Sequence, residues 1–170
     1  MTGMGNGARP VRIAVAGPGD CDDELAALAE EVGVRLGQAG AVVITGGGGG
    51  VMAAASHGAR KAGGITVGIL PGLEASEANP DVLIPLPTGL GEARNMIVAA
   101  GAQVLIAVGG EAGTLSEIAL ALKTGRPVIG LKTWTLWRPG TTSPLYYRAR
   151  DPADAVREAL ARAQDPLSGE

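Results

Sequence analysis

The chain has 170 residues, 46% of them hydrophobic, with a formal net charge of −3 and a single cysteine. One cysteine excludes an intramolecular disulfide framework, and an acidic balance with scattered Lys and Arg excludes a basic nucleic-acid footprint. No apolar run reaches the roughly 18 residues of a membrane helix, and the Gly-rich residues 1–10 read as a frayed tail, so the expectation is one cytoplasmic domain over residues 11–165.

Residues 12–16 predict a first strand, ending in Gly17, Pro18 and Gly19. Asp20 reads as the N-cap of a helix to about Gly37, with Asp22 and Asp23 in its first turn and Leu25, Leu28, Val32 and Leu36 as its buried stripe. A second strand over 41–45 runs into five glycines, Gly46 to Gly50, and a helix over about 51–62 follows. Residues 65–70 predict a third strand, 71–80 a loop, and 81–84 a short fourth strand stopped by Pro85. A helix over about 91–101 leads to the unbroken apolar run 104–108, the pattern of a parallel strand covered on both faces. Thr114 opens the next helix, with Leu115, Ile118 and Leu122 on one face, and residues 127–131 close the alternation as another strand. Asp151 and Pro152 supply an N-cap and an N1 proline for a last helix. Strands alternating with helices at this spacing predict an α/β fold, a parallel sheet with helices on both faces.

The chain has no Phe, and all four aromatic residues (Trp134, Trp137, Tyr146 and Tyr147) fall in one short segment. A loop packed on the sheet edge, a subunit interface and a stacking lid over a site all fit this pattern, the interface better than the lid.

In an open α/β sheet ligands bind beyond the carboxyl ends of the strands, where three loops qualify here. The loop after the first strand contains Gly17 and meets Asp20, Asp22 and Asp23 at its helix start; those carboxylates already occupy the helix dipole, so the loop takes a supporting role. Cys21 has no apparent His partner and reads as a helix-start thiol. In the second loop, five glycines cost folding entropy and point to close approach of Gly46, Gly47, Gly48 and Gly49 to a ligand. The dinucleotide fingerprint fails at Val51, Thr45 stands where an acidic residue would hold a ribose, and no Walker A pattern occurs. In the third loop Gly109, Gly110 and Gly113 bare the backbone at a helix N-terminus, a ready anion site. There Thr114 and Glu117 have the spacing of a capping box. His57 is the only histidine, so no His-Cys metal cluster is expected.

The stretches 45–52 (TGGGGGVM), 91–95 (GEARN) and 109–117 (GGEAGTLSE) resemble, in order, motifs of the LOG-like (LONELY GUY) superfamily, over roughly residues 11–131. The resemblance implies a single-domain Rossmann-like, doubly wound parallel sheet flanked by helices, in a homo-oligomer (dimer or tetramer). Characterised LOG enzymes are phosphoribohydrolases that cut the N-glycosidic bond of cytokinin nucleoside 5′-monophosphates. Their motif Pro-Gly-Gly-x-Gly-Thr-x-x-Glu places its Gly-Thr at Gly113 and Thr114, its Glu at Glu117, and its upstream Arg at Arg94. Arg94 and Glu117 are therefore the implied catalytic pair. This chain departs from the motif in having Gly109 for the proline, Glu111 for the second glycine, and Asn95 for the lysine that follows the arginine. The last two changes make the site two charges less positive, each worth on the order of 1–3 kcal/mol of phosphate affinity in a partly dry cleft. The pattern is similar to the branch that includes the molybdenum cofactor carrier proteins.

Two functions share the expected pocket. One is binding of a nucleotide or other phosphate-bearing small molecule with phosphoribohydrolase turnover, Glu117 orienting water or contacting ribose. The other is non-catalytic carriage of the molybdenum cofactor, with no further cofactor required. Pyridoxal phosphate-dependent lysine decarboxylation, the activity with which the superfamily was long mislabelled, lacks an activated lysine: Lys61, Lys123 and Lys132 have no apolar or cationic surroundings in the sequence.

Overall fold

The computed structural model describes residues 9–136 and 145–164. Residues 1–8 of the expected tail, Trp137 and residue 165 lie outside the described residues. Among the described residues, seven parallel strands form one sheet: β1 (Arg12–Ala16), β2 (Val42–Thr45), β3 (Ile65–Leu70), β4 (Ile84–Pro87), β5 (Val104–Val108), β6 (Val128–Leu131) and β7 (Tyr146–Arg148). Their spatial order is β4-β3-β2-β1-β5-β6-β7. The chain thus walks outward from β1 to β4, then crosses back to lay β5 on the other flank of β1. That reversal makes the gap beyond the carboxyl ends of β1 and β5 the topological switch point, where α/β sheets bind ligands.

The helices are α1 (Asp23–Gln38), α2 (Gly50–Lys61), α3 (Asn95–Gly101), α4 (Ala112–Lys123) and α5 (Pro152–Gln164). The crossovers put α1 and α2 on one face, joined by α5, and α3 and α4 on the other. Each face has its own core: Ile13, Val15, Val43, Val104, Ile106 and Ile129 pack toward α1, α2 and α5, while Ala14, Ile44, Leu105, Ala107 and Val128 pack toward α3 and α4. Burial on both sides is why β5 is an unbroken apolar run with all five residues buried. The α1 stripe forms as its periodicity predicts, with Val32 and Leu36 fully buried and Leu25 and Leu28 partly so. Added Cβ atoms on Gly33 and Gly58 would lie 2.1 and 2.0 Å from the carbonyl oxygens of Ala55 and Glu30, so α1 and α2 touch backbone to backbone.

Several local expectations need correction. Pro85 does not stop the fourth strand; β4 begins at Ile84 and includes both prolines. It is an edge strand, so the missing amide protons of Pro85 and Pro87 fall on the side away from β3. Asp22, not Asp20, caps α1, its carboxylate accepting from the Leu25 amide at 2.8 Å. The helix expected over 91–101 is a 3₁₀ turn, Gly91–Arg94, that feeds α3. The five-glycine turn of the second loop ends one residue sooner than expected, because α2 includes Gly50. Residues beyond β6 add a seventh strand that periodicity did not reveal. Asp151 does cap α5, accepting from the Asp154 amide at 2.8 Å. Buried Asp154 in turn collects Arg150 and Arg157, whose hydrogen bonds hold its carboxyl well below the usual range. Among the described residues, no helix is long and apolar enough to cross a membrane.

Candidate functional site

Around the switch point lies a cleft of about 260 Å³, reached by four segments. The loop after β1 contributes Gly17, Pro18 and Gly19, and α2 contributes Met52. Glu92, Arg94 and Asn95 enter from the turn into α3, and Glu111, Gly113, Thr114 and Glu117 from α4. Seven of the residues singled out by sequence therefore meet here: Gly17, Arg94, Asn95, Glu111, Gly113, Thr114 and Glu117.

Gly46, Gly47, Gly48, Gly49, Gly109 and Gly110 do not line the cleft; most have a tight protein neighbour instead. A Cβ on Gly46 would fall 1.8 Å from Arg94 Nη1, so the absent side chain is what admits the guanidinium. Gly47 has φ +75° and lies against Leu70; its amide donates to Thr45 Oγ1 at 3.0 Å, and Asn79 Nδ2 donates to the carbonyls of Gly47 and Gly48. Gly50, with φ +55°, rests on the Pro18 carbonyl, to which the Val51 amide donates at 3.0 Å. The glycine-rich turn thus clamps the first loop, α2 and Arg94 together. At Gly109, φ +63° turns the chain sharply after β5 against Leu25, and Gly110 lies under the Trp134 indole.

Two glycines differ. Among the described residues, a Cβ on Gly113 would meet no heavy atom within 4 Å, and one on Gly19 would meet only Met52 Cε at 3.8 Å. Neither has a positive φ. Backbone at these two points lies open to the cleft. Sequence reasoning missed Gly19, along with Pro18, Met52 and Glu92. For Pro18 and Gly19 the signal was the position of the first loop opposite the third across the switch point, which emerges only once β1 and β5 are known to be neighbours; Met52 and Glu92 lie within the stretches 45–52 and 91–95.

The head of α4 corrects the capping-box reading. Because Gly109 turns the chain so soon, the helix starts at Ala112 with Glu111 as N-cap, leaving Thr114 and Glu117 inside it. Glu111 makes no side-chain cap, and the Leu115 amide is already bonded to its carbonyl at 3.0 Å. The amides of Ala112, Gly113 and Thr114 precede that bond and have no acceptor within the helix. No acidic residue occupies the first turn. The buried stripe of α4 is Thr114, Glu117, Ile118 and Ala121, rather than one centred on Leu115 and Leu122. With apolar residues nearly all round the helix, periodicity could not select the face.

Glu117 is 7% exposed and makes no hydrogen bond among the described residues. Burial pushes its carboxyl up to about 7; Arg94 opposes the shift and Glu92 adds to it. Arg94 donates from Nη1 to the Ile69 carbonyl at 3.1 Å, while its buried Nε finds no partner among the described residues. Asn95 is 5% exposed and donates to Ser116 Oγ, which donates to the Gly113 carbonyl at 2.7 Å, bracing the first turn of α4. One guanidinium and three carboxylates thus line the cleft. Among the described residues, no group of three His, Cys, Asp or Glu could hold a metal ion.

The described aromatic residues pack on their own chain. Trp134 Nε1 donates to the Glu111 carbonyl at 3.3 Å, Tyr146 donates to the Trp134 carbonyl, and the Arg162 guanidinium lies 4.8 Å from the Tyr147 ring centroid.

The SLOG cluster4 family matches residues 10–159. An uncharacterized protein of Archaeoglobus fulgidus is 44% identical over 122 residues, covering 72% of this chain and 80% of that protein. Among solved structures, the molybdenum cofactor binding protein of the phototrophic bacterium Rippkaea orientalis has a TM-score of 0.84 at 36% identity, covering 91% of this chain and 98% of that one. The Moco carrier protein of Chlamydomonas reinhardtii has a TM-score of 0.79 at 39% identity, covering 91% of this chain and 99% of that one.

Proposed function

The chain belongs to the SLOG cluster4 family, and from that premise we propose that its cleft binds the molybdenum cofactor, by its phosphate, as cargo rather than as substrate. The observation that carries this reading is the head of α4: three amides with no acceptor in the helix, an N-cap without a side-chain bond, and an open Gly113, all at the switch point. Such a helix end attracts anions through its dipole and its bare N–H groups. Arg94 supplies the cation, and Gly19 and Gly113 let a ligand come down to the backbone. The resident groups fit a phosphate-bearing molecule in size as well. About 260 Å³ lies just below the roughly 300–1,000 Å³ of drug-sized pockets, enough for the phosphate and part of its attached ring system. Likeness over nearly the full length to proteins that bind or carry this cofactor supports cargo binding over turnover.

Protein purified from a host that makes the cofactor should contain molybdenum and a pterin phosphate, detected by elemental analysis and mass spectrometry. An apo mass, with no thermal shift from any phosphate ligand, would overturn the proposal. A second reading rests on Glu117, since a buried carboxyl pushed up to about 7 suits proton transfer in N-glycosidic cleavage. Release of free base from AMP or a cytokinin monophosphate, abolished in Glu117→Gln, would establish it. The expected setting is the cytoplasm and the expected assembly a homo-oligomer; exposed Leu73, Leu83, Ile84, Leu86 and Leu90 near the β4 edge support the latter. A monomer mass in light scattering would remove the oligomer.

A further inference from the structure

We propose that anion binding in this cleft is coupled to the uptake of one proton by Glu117, so that the ligand is held at low pH and released as pH rises. The proposal rests on reading the cleft as an anion site and adds a regulation to that site. Its basis is geometric. Side chains of an α-helix tilt toward the N-terminus and cover the residues three and four positions earlier. Glu117 stands one turn along from Gly113 and Thr114, the residues whose amides would face the anion, on the same side of α4, and all three line one cleft.

Among the described residues no hydrogen bond holds the negative charge of Glu117, and only the nearby Arg94 favours it. Glu117 itself is 7% exposed. Arg94, the cation nearby, is tethered to the Ile69 carbonyl over Gly46 and forms no ion pair with Glu117. Among the described residues, the other charged groups at the cleft are Glu92, from the turn into α3, and Glu111, at the head of α4. Both are exposed, so water weakens their action on an anion relative to that of buried Glu117, although Glu92 still raises the Glu117 carboxyl. The first loop and α2 bring only Gly17, Pro18, Gly19 and Met52, which carry no charge. Glu117 and the incoming anion would thus place two negative charges side by side in a partly dry site. Adding a proton to Glu117 removes one of them and turns the carboxyl into a hydrogen-bond donor. The proton comes from solvent and returns there on release, so the cycle balances without any other reactant. Burial already brings Glu117 to about 7, where one proton more or less decides the outcome.

Sulfate is the probe that isolates this effect, because unlike a phosphate monoester it keeps its charge across neutral pH. Isothermal titration in buffers of different ionisation enthalpy reads the protons taken up per sulfate bound. The expected result is close to one proton at about pH 8.5 and few at about pH 5.5, with the dissociation constant rising about tenfold per pH unit above neutrality. Glu117→Gln, checked for folding by circular dichroism, should bind sulfate with no proton uptake and a flat pH profile. Glu92→Gln should keep the uptake and shift its midpoint to lower pH, since Glu92 raises the Glu117 carboxyl. Equal sulfate affinity at low and high pH without proton uptake would overturn the coupling and leave the anion site standing. Uptake that persists in Glu117→Gln would also overturn it, by locating the proton elsewhere. Absence of sulfate binding at every pH would overturn both the coupling and the anion site beneath it.

Discussion

Helices α1 and α4 both start beyond the carboxyl ends of neighbouring central strands, yet their heads do opposite things. The head of α1 is closed from within: Asp22 accepts the Leu25 amide at 2.8 Å, and Asp23 and Glu24 fill the first turn. The head of α4 has an N-cap residue whose side chain stays out, no acid in its first turn, and Gly113 open to the cleft. The same dipole is satisfied by the chain's own carboxylates at one helix and left for a visitor at the other. A helix N-terminus becomes a ligand site only when its own residues decline to cap it.

The contrast can be broken by substitution. The largest effect is expected from Gly50→Ala at the head of α2, where φ is +55° and the new Cβ would lie 2.3 Å from the Pro18 carbonyl oxygen. A left-handed backbone plus a backbone overlap should cost about 3 kcal/mol in urea unfolding. Gly113→Ala should instead keep or raise stability by up to about 1 kcal/mol while weakening sulfate binding. Equal destabilisation by the two would mean that the open glycine is structural after all.

The next effect concerns pH. Glu117 folds with its carboxyl raised from 4.5 to about 7, so between those values the folded chain binds more protons than the unfolded one. Stability therefore falls as pH rises through that window, and the loss persists above it. Glu117→Gln should stabilise the protein by on the order of 2 kcal/mol at about pH 8 and hardly at all near pH 4, as read by denaturant midpoints. A gain of the same size at both pH values would reject the burial argument.

The smallest effects come from exchanging the two helix heads. Glu111→Asp shortens the N-cap side chain to the type that caps α1; it should add about 1 kcal/mol of stability and weaken sulfate binding about tenfold, as the cap competes for the same amides. Asp22→Ala should cost about 1 kcal/mol and leave sulfate affinity unchanged. Titration calorimetry that finds sulfate binding weakened by Asp22→Ala would show that the two heads are not independent.

Much of this fold was legible because its elements announce themselves locally. The apolar run of β5, the stripe of α1 and the Asp151-Pro152 start of α5 each follow from residues close in sequence. The edge strand β4 was harder, since two prolines look like a stop until one knows that its outer side has no partner. The site was legible in part. Arg94, Asn95, Thr114 and Glu117 meet in one cleft, while the five-glycine turn that looked most like a ligand cradle holds Arg94, Asn79 and the first loop instead.

Sequence alone determined the alternation of strands and helices, the family, and the residues that carry charge near the switch point, because periodicity and short motifs are properties of neighbouring residues. Tertiary structure alone decided which glycines face protein and which face open space, where α4 starts, and that Glu117 is largely buried with no hydrogen-bond partner among the described residues. Those properties depend on what other segments bring to the same point in space. A glycine with φ +75° wedged under Leu70 and a glycine with no described atom within 4 Å of its missing side chain are the same letter in the chain.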